Sequence, residues 1–258
     1  MDITKIKPRT KIIGQNVYYI EECPSTNTLA KENSHLEDGT LFICDNQTSG
    51  RGRHGNLWVC DGDNSIAMSI LTKPDLAPEK ASALTLVTGL CVKNTLSELY
   101  GADILIKWPN DLVLNKKKIS GILCEMSAEK NLLQYCICGI GINLNNTLFP
   151  DEIKNIATSL YSETGKKLSK EAIISKIAEE FEILYNEFLK NGLKNIISDY
   201  KKCLITLNKE VKIITPTKSY TAKCIDINES GELIVKTDNG FSVISSGEVS
   251  VRGIFGYV

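Results

Sequence analysis

Residues 50–55, Gly-Arg-Gly-Arg-His-Gly, spell G-x-G-x-x-G, and Asp75 follows about twenty residues on, as in the dinucleotide-binding fingerprint. That fingerprint works only where a strand enters the loop and a helix leaves it, so that pyrophosphate rests on the helix N-terminus. Thr40-Leu41-Phe42-Ile43-Cys44 reads as the entering strand. After Gly55, however, the segment from Leu57 to Asn64 has no helical period and runs into the strand-like Ser65-Ile66-Ala67-Met68-Ser69-Ile70-Leu71. The loop therefore joins strand to strand, and a Rossmann site is excluded. What remains is a short cationic loop whose glycines let backbone N–H groups approach an anion. Arg51 and Arg53 add planar forks matched to carboxylate and phosphate. Alone, it reads as an ordinary glycine-rich hairpin connection; with further basic chemistry elsewhere, it reads as an anion-binding loop, mobile when empty and closed when full.

At 258 residues the chain suits one domain of ordinary size plus a small appendage. A net charge of −1 supplies no global field toward nucleic acid or membrane. No apolar run approaches a membrane span, and Met-Asp-Ile-Thr-Lys lacks the apolar core of a signal peptide. The nine cysteines form no C-x-x-C, and His35 and His54 are the only histidines, which argues against structural zinc. The cysteines read as small core residues of a cytoplasmic protein.

Ser25-Thr26-Asn27 opens a helix with several capping candidates. A long helix is expected from Pro78 to Gly101, with Leu84, Val87, Leu90, Cys91 and Leu99 at helical spacing. Ile104–Ile106 is a short strand opening onto Lys107-Trp108-Pro109-Asn110-Asp111. Leu112–Leu114 and Ile119–Glu125 read as a hairpin, and Cys136–Leu144 as another strand. Residues 169–203 carry helical patterning. Beyond Val211, β-branched runs are divided by Glu229-Ser230-Gly231 and Asp238-Asn239-Gly240, suggesting a small barrel of four or five strands.

Taken singly, the remaining motifs have bland readings: a turn with its Trp in the core, a solvated lysine hairpin tip, a close backbone crossing at Gly139 and Gly141. Together they closely resemble the biotin–protein ligases. The resembling motifs are Ser25-Thr26-Asn27, Gln47-x-x-Gly50-Arg51-Gly52-Arg53-x-Gly55-x-x-Trp58, Lys107-Trp108-Pro109-Asn110-Asp111, Lys118-x-x-Gly121 and Gly139-x-Gly141-x-Asn143. The terminal Gly247-Glu248-Val249-Ser250-Val251-Arg252 is similar to the end of the family's C-terminal domain.

The resemblance implies an α/β (α+β) chain. Residues 1–206 would be a catalytic domain with a mixed sheet, akin to class II tRNA synthetases and lipoate ligases, and 207–258 an SH3-like barrel. It implies biotin and ATP as substrates, Mg²⁺ as cofactor, and a biotin carboxyl carrier protein domain as acceptor. By carry-over, Ser25, Thr26, Asn27 and Gln47 hold biotin's polar ends. Arg51, Gly52 and Arg53 wrap the ligand, and Lys118 meets the carboxylate and acyl-phosphate oxygens. Trp58 closes over adenine, and Asn110 and Asn143 contact the nucleotide. Lys107, Lys118 and Arg53 supply cations for catalysis, and Asp111 supports Mg²⁺ or the acceptor lysine.

The match is incomplete at His54, where relatives commonly carry Arg, and at Asn56, often basic; the loop thus carries less permanent charge. Only 24 residues precede Ser25, and Tyr18-Tyr19-Ile20 already reads as a strand. No winged helix-turn-helix is expected there, nor sequence-specific DNA binding. Two other functions compete: a lipoate–protein ligase, which shares fold and acyl-adenylate chemistry, and a non-catalytic biotin sensor.

Overall fold

Seven of the apolar runs assemble into one sheet: β1 (Val17–Cys23), β2 (Leu41–Gln47), β3 (Ser65–Thr72), β4 (Leu105–Lys107), β5 (Asp111–Leu114), β6 (Lys117–Glu129) and β7 (Leu132–Asn143). This computed structural model describes residues 1–247, 249–254 and 257–258. Glu248, in the stretch that resembles the family's C-terminal end, lies outside the described residues. The spatial order is β1-β2-β3-β7-β6-β5-β4. β1 and β2 run parallel and each other neighbouring pair is antiparallel, so the sheet is mixed, as expected. β3 is buried along its whole length because both sheet faces are covered there, which is why it reads as a continuous apolar run.

Helix α1 (Thr26–Glu32) packs Leu29 and Ala30 onto one sheet face, against Phe42, Ala67, Leu71 and Ile137. The opposite face is covered by α3 (Leu84–Tyr100) and α5 (Lys170–Asn191), whose Leu90, Val87, Ile177 and Phe181 meet Met68, Ile70, Ile140 and Ile142. The single helix expected after Pro78 is two. A short α2 (Pro78–Ala81) is separated from α3 by a tightened turn, where Ala83 N–H bonds Lys80 C=O and Thr85 N–H bonds Ser82 C=O. The expected 169–203 helix also divides, because Gly192 at φ +62 ends α5. α4 (Leu160–Thr164) precedes it and α6 (Ile197–Lys202) follows.

Five further strands, β8 (Glu210–Ile214), β9 (Ser219–Ile227), β10 (Leu233–Thr237), β11 (Gly240–Ile244) and β12 (Ser250–Gly253), form an antiparallel sheet in the order β11-β10-β9-β8-β12. Their turns fall where Gly231 and Gly240 supply positive φ. The core continues into this sheet: Val211, Ile213, Cys224 and Leu233 share a cluster with Trp108 and Leu204. Trp108 also donates its indole N–H to Gly231 C=O at 3.0 Å, tying the Lys107–Asp111 turn to the second sheet.

One small energetic test is local. Ser25 Oγ accepts the Thr28 N–H (3.1 Å), which caps α1. Ser25→Ala should cost about 1 kcal/mol, seen as a lower denaturant midpoint at unchanged slope.

Candidate functional site

Several chain segments converge where α1 begins: the N-terminus of α1, the end of β2, the β4–β5 corner, and the middle of β6 and β7. Where they meet, a single cavity is lined by Ser25, Thr26, Asn27, Gln47, Arg51, Gly52, Arg53, Trp58, Lys107, Asn110, Asp111 and Lys118. Asn143 is the exception among the expected residues. It is buried and donates its amide to Thr158 C=O (3.0 Å), bracing the segment that pairs with β6 at Lys118.

One end of the cavity is lined by polar side chains without charge, braced from behind by the Glu125 carboxylate. Thr26 N–H donates to Gln47 Oε1 (2.8 Å), fixing that amide across the strand end. Asn27 donates to Leu123 C=O (3.1 Å) and Glu125 Oε2 (2.6 Å). Its oxygen lies 2.7 Å from Ser69 Oγ, which is also 2.7 Å from Thr26 Oγ1. Ser25, Thr26 and Asn27 are all buried, so these bonds set their orientation before any ligand arrives. The floor is Gly121, Gly139 and Gly141: a Cβ on Gly139 would overlap Asn27 Oδ1, and one on Gly141 would overlap the Trp58 ring.

The other end is cationic. Asp111 holds Lys118 at 2.6 Å and Lys107 at 3.8 Å, and accepts the Tyr257 hydroxyl. Lys107 Nζ sits 3.9 Å from the centroid of the Tyr257 ring. Burial pushes the Lys107 ammonium down to about 8, with Asp111 only partly restoring it. Burial also opposes ionisation of Asp111, but Lys118 and then Lys107 outweigh it and hold the carboxyl below its usual range. Arg53 donates to Asn110 Oδ1 (3.2 Å) and to the carbonyls of Ser246 and Val249, clasping the second sheet. Arg51 instead pairs with Glu125 at 3.2 Å.

The basic loop is strand to strand, as the missing helical period required. Arg51 bridges Leu57, and Trp58 N–H bonds Gly50 C=O (2.9 Å). At its tip Asn56 closes the turn, accepting Gly52 N–H at 2.7 Å and donating its amide to Arg53 C=O at 2.8 Å. His54 is exposed, at φ 56. Trp58 lies over the glycine floor with Lys118 Nζ 5.7 Å from its ring centroid.

Glu125, Ser69 and Tyr257 belong to the site but were not found from the sequence. Glu125 did leave a trace, an acidic residue directly after the apolar run Ile122-Leu123-Cys124; Tyr257 left none, being 146 positions from its partner. Among the described residues no group of three His, Cys, Asp or Glu side chains could hold a metal. Asp111 is a single carboxylate already offset by two ammonium groups, so the donor set does not suit a resident Mg²⁺. Among the described residues no helix is long and apolar enough to cross a membrane.

Comparison with known proteins bears on this geometry. The model for the Biotin/lipoate A/B protein ligase family matches residues 19–143, and that for the Biotin protein ligase C terminal domain matches 206–252. The Bifunctional ligase/repressor BirA of Bacillus subtilis is 34% identical over 247 residues, covering 94% of this chain and 76% of its own. A Biotin--[acetyl-CoA-carboxylase] ligase of Mycobacterium tuberculosis is 28% identical, covering 89% and 86% respectively. The solved biotin protein ligase of Aquifex aeolicus, in complex with biotin and ATP, superposes with TM-score 0.81 at 32% identity, covering 93% of this chain and 99% of that one.

Proposed function

The chain belongs to the biotin protein ligase family, and from that premise we propose that, in the cytoplasm, it uses ATP to join biotin to one lysine of the biotin carboxyl carrier domain of a biotin-dependent carboxylase. The carrying observation is that one cavity has a pre-oriented polar end, where Asn27 and Arg51 are held by Glu125, beside an end where three cations, Arg53, Lys107 and Lys118, outnumber the one carboxylate, Asp111. That is the polarity a ligand with a ureido ring at one end and a carboxylate at the other requires.

In the first step the biotin carboxylate attacks the α-phosphorus of ATP, giving biotinyl-5'-AMP and pyrophosphate. Two anions must meet and a third must leave, so fixed cations offset repulsion and developing charge. Ser25, Thr26, Asn27 and Gln47 would seat the ring; Lys118, nearest the junction of the two ends, would meet the carboxylate and the α-phosphoryl oxygens. Lys107 and Arg53 would face the phosphates, Asn110 would steady Arg53, and Arg51 and Gly52 would fold over the ligand. Trp58 would close over the adenine from its place on the glycine floor. Mg²⁺ would come in on the nucleotide, where it neutralises phosphate charge. In the second step a carrier lysine attacks the acyl carbon and AMP departs. Asp111, a weak base while paired with two ammonium groups, is better suited to placing Lys118 and Lys107 than to taking that lysine's proton. We assign 1–206 as the substrate-binding unit, with 207–258 closing one side of the cavity through Ser250 and Val251.

ATP–pyrophosphate exchange with purified protein and Mg²⁺ tests the reading, comparing biotin, lipoate and no acid. Exchange that depends on biotin supports it; exchange with lipoate alone replaces the substrate; biotin binding without exchange points to a sensor.

Lys107 makes this activity pH-dependent. Its ammonium persists to about 8 in the folded chain against 10.5 in the ordinary case. Between those values the unfolded chain binds more protons, so stability attributable to this group rises with pH. Activity runs the other way, since the phosphate-facing charge is lost. kcat/KM for ATP should therefore fall as pH rises through about 8, and Lys107→Arg, which stays charged, should flatten that fall. A wild-type profile level through this range would remove Lys107 from the cationic set.

A further inference from the structure

β6 and β7 pair so that Cys124 faces Cys138, Leu123 faces Gly139 and Ile122 faces Ile140. Backbone bonds tell which pairs are narrow. Ile122 donates its N–H to Asn110 C=O (2.9 Å), and its C=O accepts the Asn110 amide (3.0 Å). Both polar groups of Ile122 thus point away from β7, and Ile122–Ile140 is a non-hydrogen-bonded pair of that ladder. Alternation makes Cys124–Cys138 the next such pair, and the ladder's irregularity comes later, between Ser127 and Ala128. Opposed Cα atoms in these pairs lie about 4.5 Å apart, within the span of about 4.4–6.8 Å that a disulfide bridges.

All three nearby cysteines are free thiols. Cys136 and Cys138, two apart on β7, share a face; Cys138 stands directly opposite Cys124, whereas Cys136 stands opposite Met126 and is only its diagonal neighbour. Access separates them: Cys136 and Cys138 are buried, whereas Cys124 is half-buried. Strand β5 covers β6 only as far as Gly121, opposite Asp111. Beyond it, Cys124 borders a cleft running from the basic loop at Arg53 and Leu57 to Thr85.

We propose that Cys124 and Cys138 are an oxidisable pair, in which a hydroperoxide entering this cleft oxidises Cys124 and Cys138 closes a cross-strand disulfide. In the first step the Cys124 thiolate attacks a peroxide oxygen. An S–O bond forms and the O–O bond breaks; sulfur gives up two electrons, and the leaving hydroxide or alkoxide takes a proton. In the second, the Cys138 sulfur attacks the sulfenic sulfur. An S–S bond forms, the S–O bond breaks, and the hydroxide departs as water with the Cys138 proton. The neighbouring Cys136 and Cys138 thiols hold the Cys124 thiol well below its ordinary range, which favours the attacking thiolate. Two thiols of an exogenous reductant restore the pair by exchange.

The pair brackets the biotin end. Leu123 and Gly139, which face each other one position away, line the cavity. Glu125, next on β6, holds Asn27 and Arg51. Fixing the strand separation here should weaken biotin binding several-fold; that consequence rests on the proposed function, while the disulfide does not.

The test is hydrogen peroxide at stoichiometric excess on the full reduced chain, then alkylation and peptide mapping by mass spectrometry. The expected product is one Cys124–Cys138 link, reversed by dithiothreitol. Cys136→Ala should leave the link in place, and Cys138→Ala should abolish it and leave Cys124 as a sulfenic acid captured by dimedone. A Cys124–Cys136 link, or Cys124 and Cys138 both recovered as thiols after peroxide has oxidised Cys60, overturns the proposal. If Cys138→Ala does not fold, the wild-type map decides alone. Biotin titration of oxidised and reduced protein reads the coupling: unchanged affinity in disulfide-linked protein overturns that consequence. Failure of the reduced protein to bind biotin counts against the functional reading instead.

Discussion

Lys118→Met is expected to slow biotin-dependent ATP–pyrophosphate exchange by about 10²–10³ with the fold intact. Lys118 is placed in the cavity by a 2.6 Å ion pair to Asp111, and the proposed reaction sets it against the bond being made rather than the distal phosphates. Its side chain is 26% exposed and forms no part of the core, which keeps the stability cost small. Asp111 is not abandoned by the change, since Lys107 and the Tyr257 hydroxyl remain on it. The effect should appear in kcat, because the charge being met develops during phosphoryl attack. A variant with unchanged kcat and a raised KM for ATP would assign Lys118 to ground-state binding, and the proposed step would need another donor.

How much of this was legible in the sequence follows from how local each feature is. The loop's strand-to-strand setting was legible because periodicity simply fails to restart after Gly55, and Arg51, Arg53, Lys107 and Lys118 do line one cavity. The two divided helices were not, because apolar spacing carries across Ser82–Ala83 and across Gly192 even though the backbone turns there. Asn143 sits in a motif but turns its amide into Thr158, a segment that nothing near Asn143 in sequence announces. Asn56 looked like a missing charge; in the fold it is the residue that closes the loop tip. Glu125 and Tyr257 show the harder limit. A carboxylate in a strand and a tyrosine in a tail acquire meaning only once the fold brings Asn27, Arg51, Asp111 and Lys107 to them.

Gly139→Ala and Gly141→Ala should separate the Asn27 wall of the proposed biotin end from the Trp58 side of the glycine floor. The added methyl on Gly139 overlaps Asn27 Oδ1, and Asn27 has no easy retreat: it is buried and bonded to Ser69, the Leu123 carbonyl and Glu125. Displacing it strands buried polar groups at about 1–3 kcal/mol each. Biotin affinity should consequently fall about 10²-fold, equivalent to about 3 kcal/mol. The methyl on Gly141 meets the Trp58 ring instead, and that ring is carried by the basic loop, whose residues are largely exposed. The loop can yield, so Gly141→Ala should cost about tenfold or less, roughly 1.4 kcal/mol. Calorimetric titration with biotin, in the absence of ATP, measures both. The reverse order, with Gly141→Ala the more damaging, would mean that affinity depends on the Trp58 wall, and that the bonded Asn27 cluster maintains the fold rather than recognising the ligand.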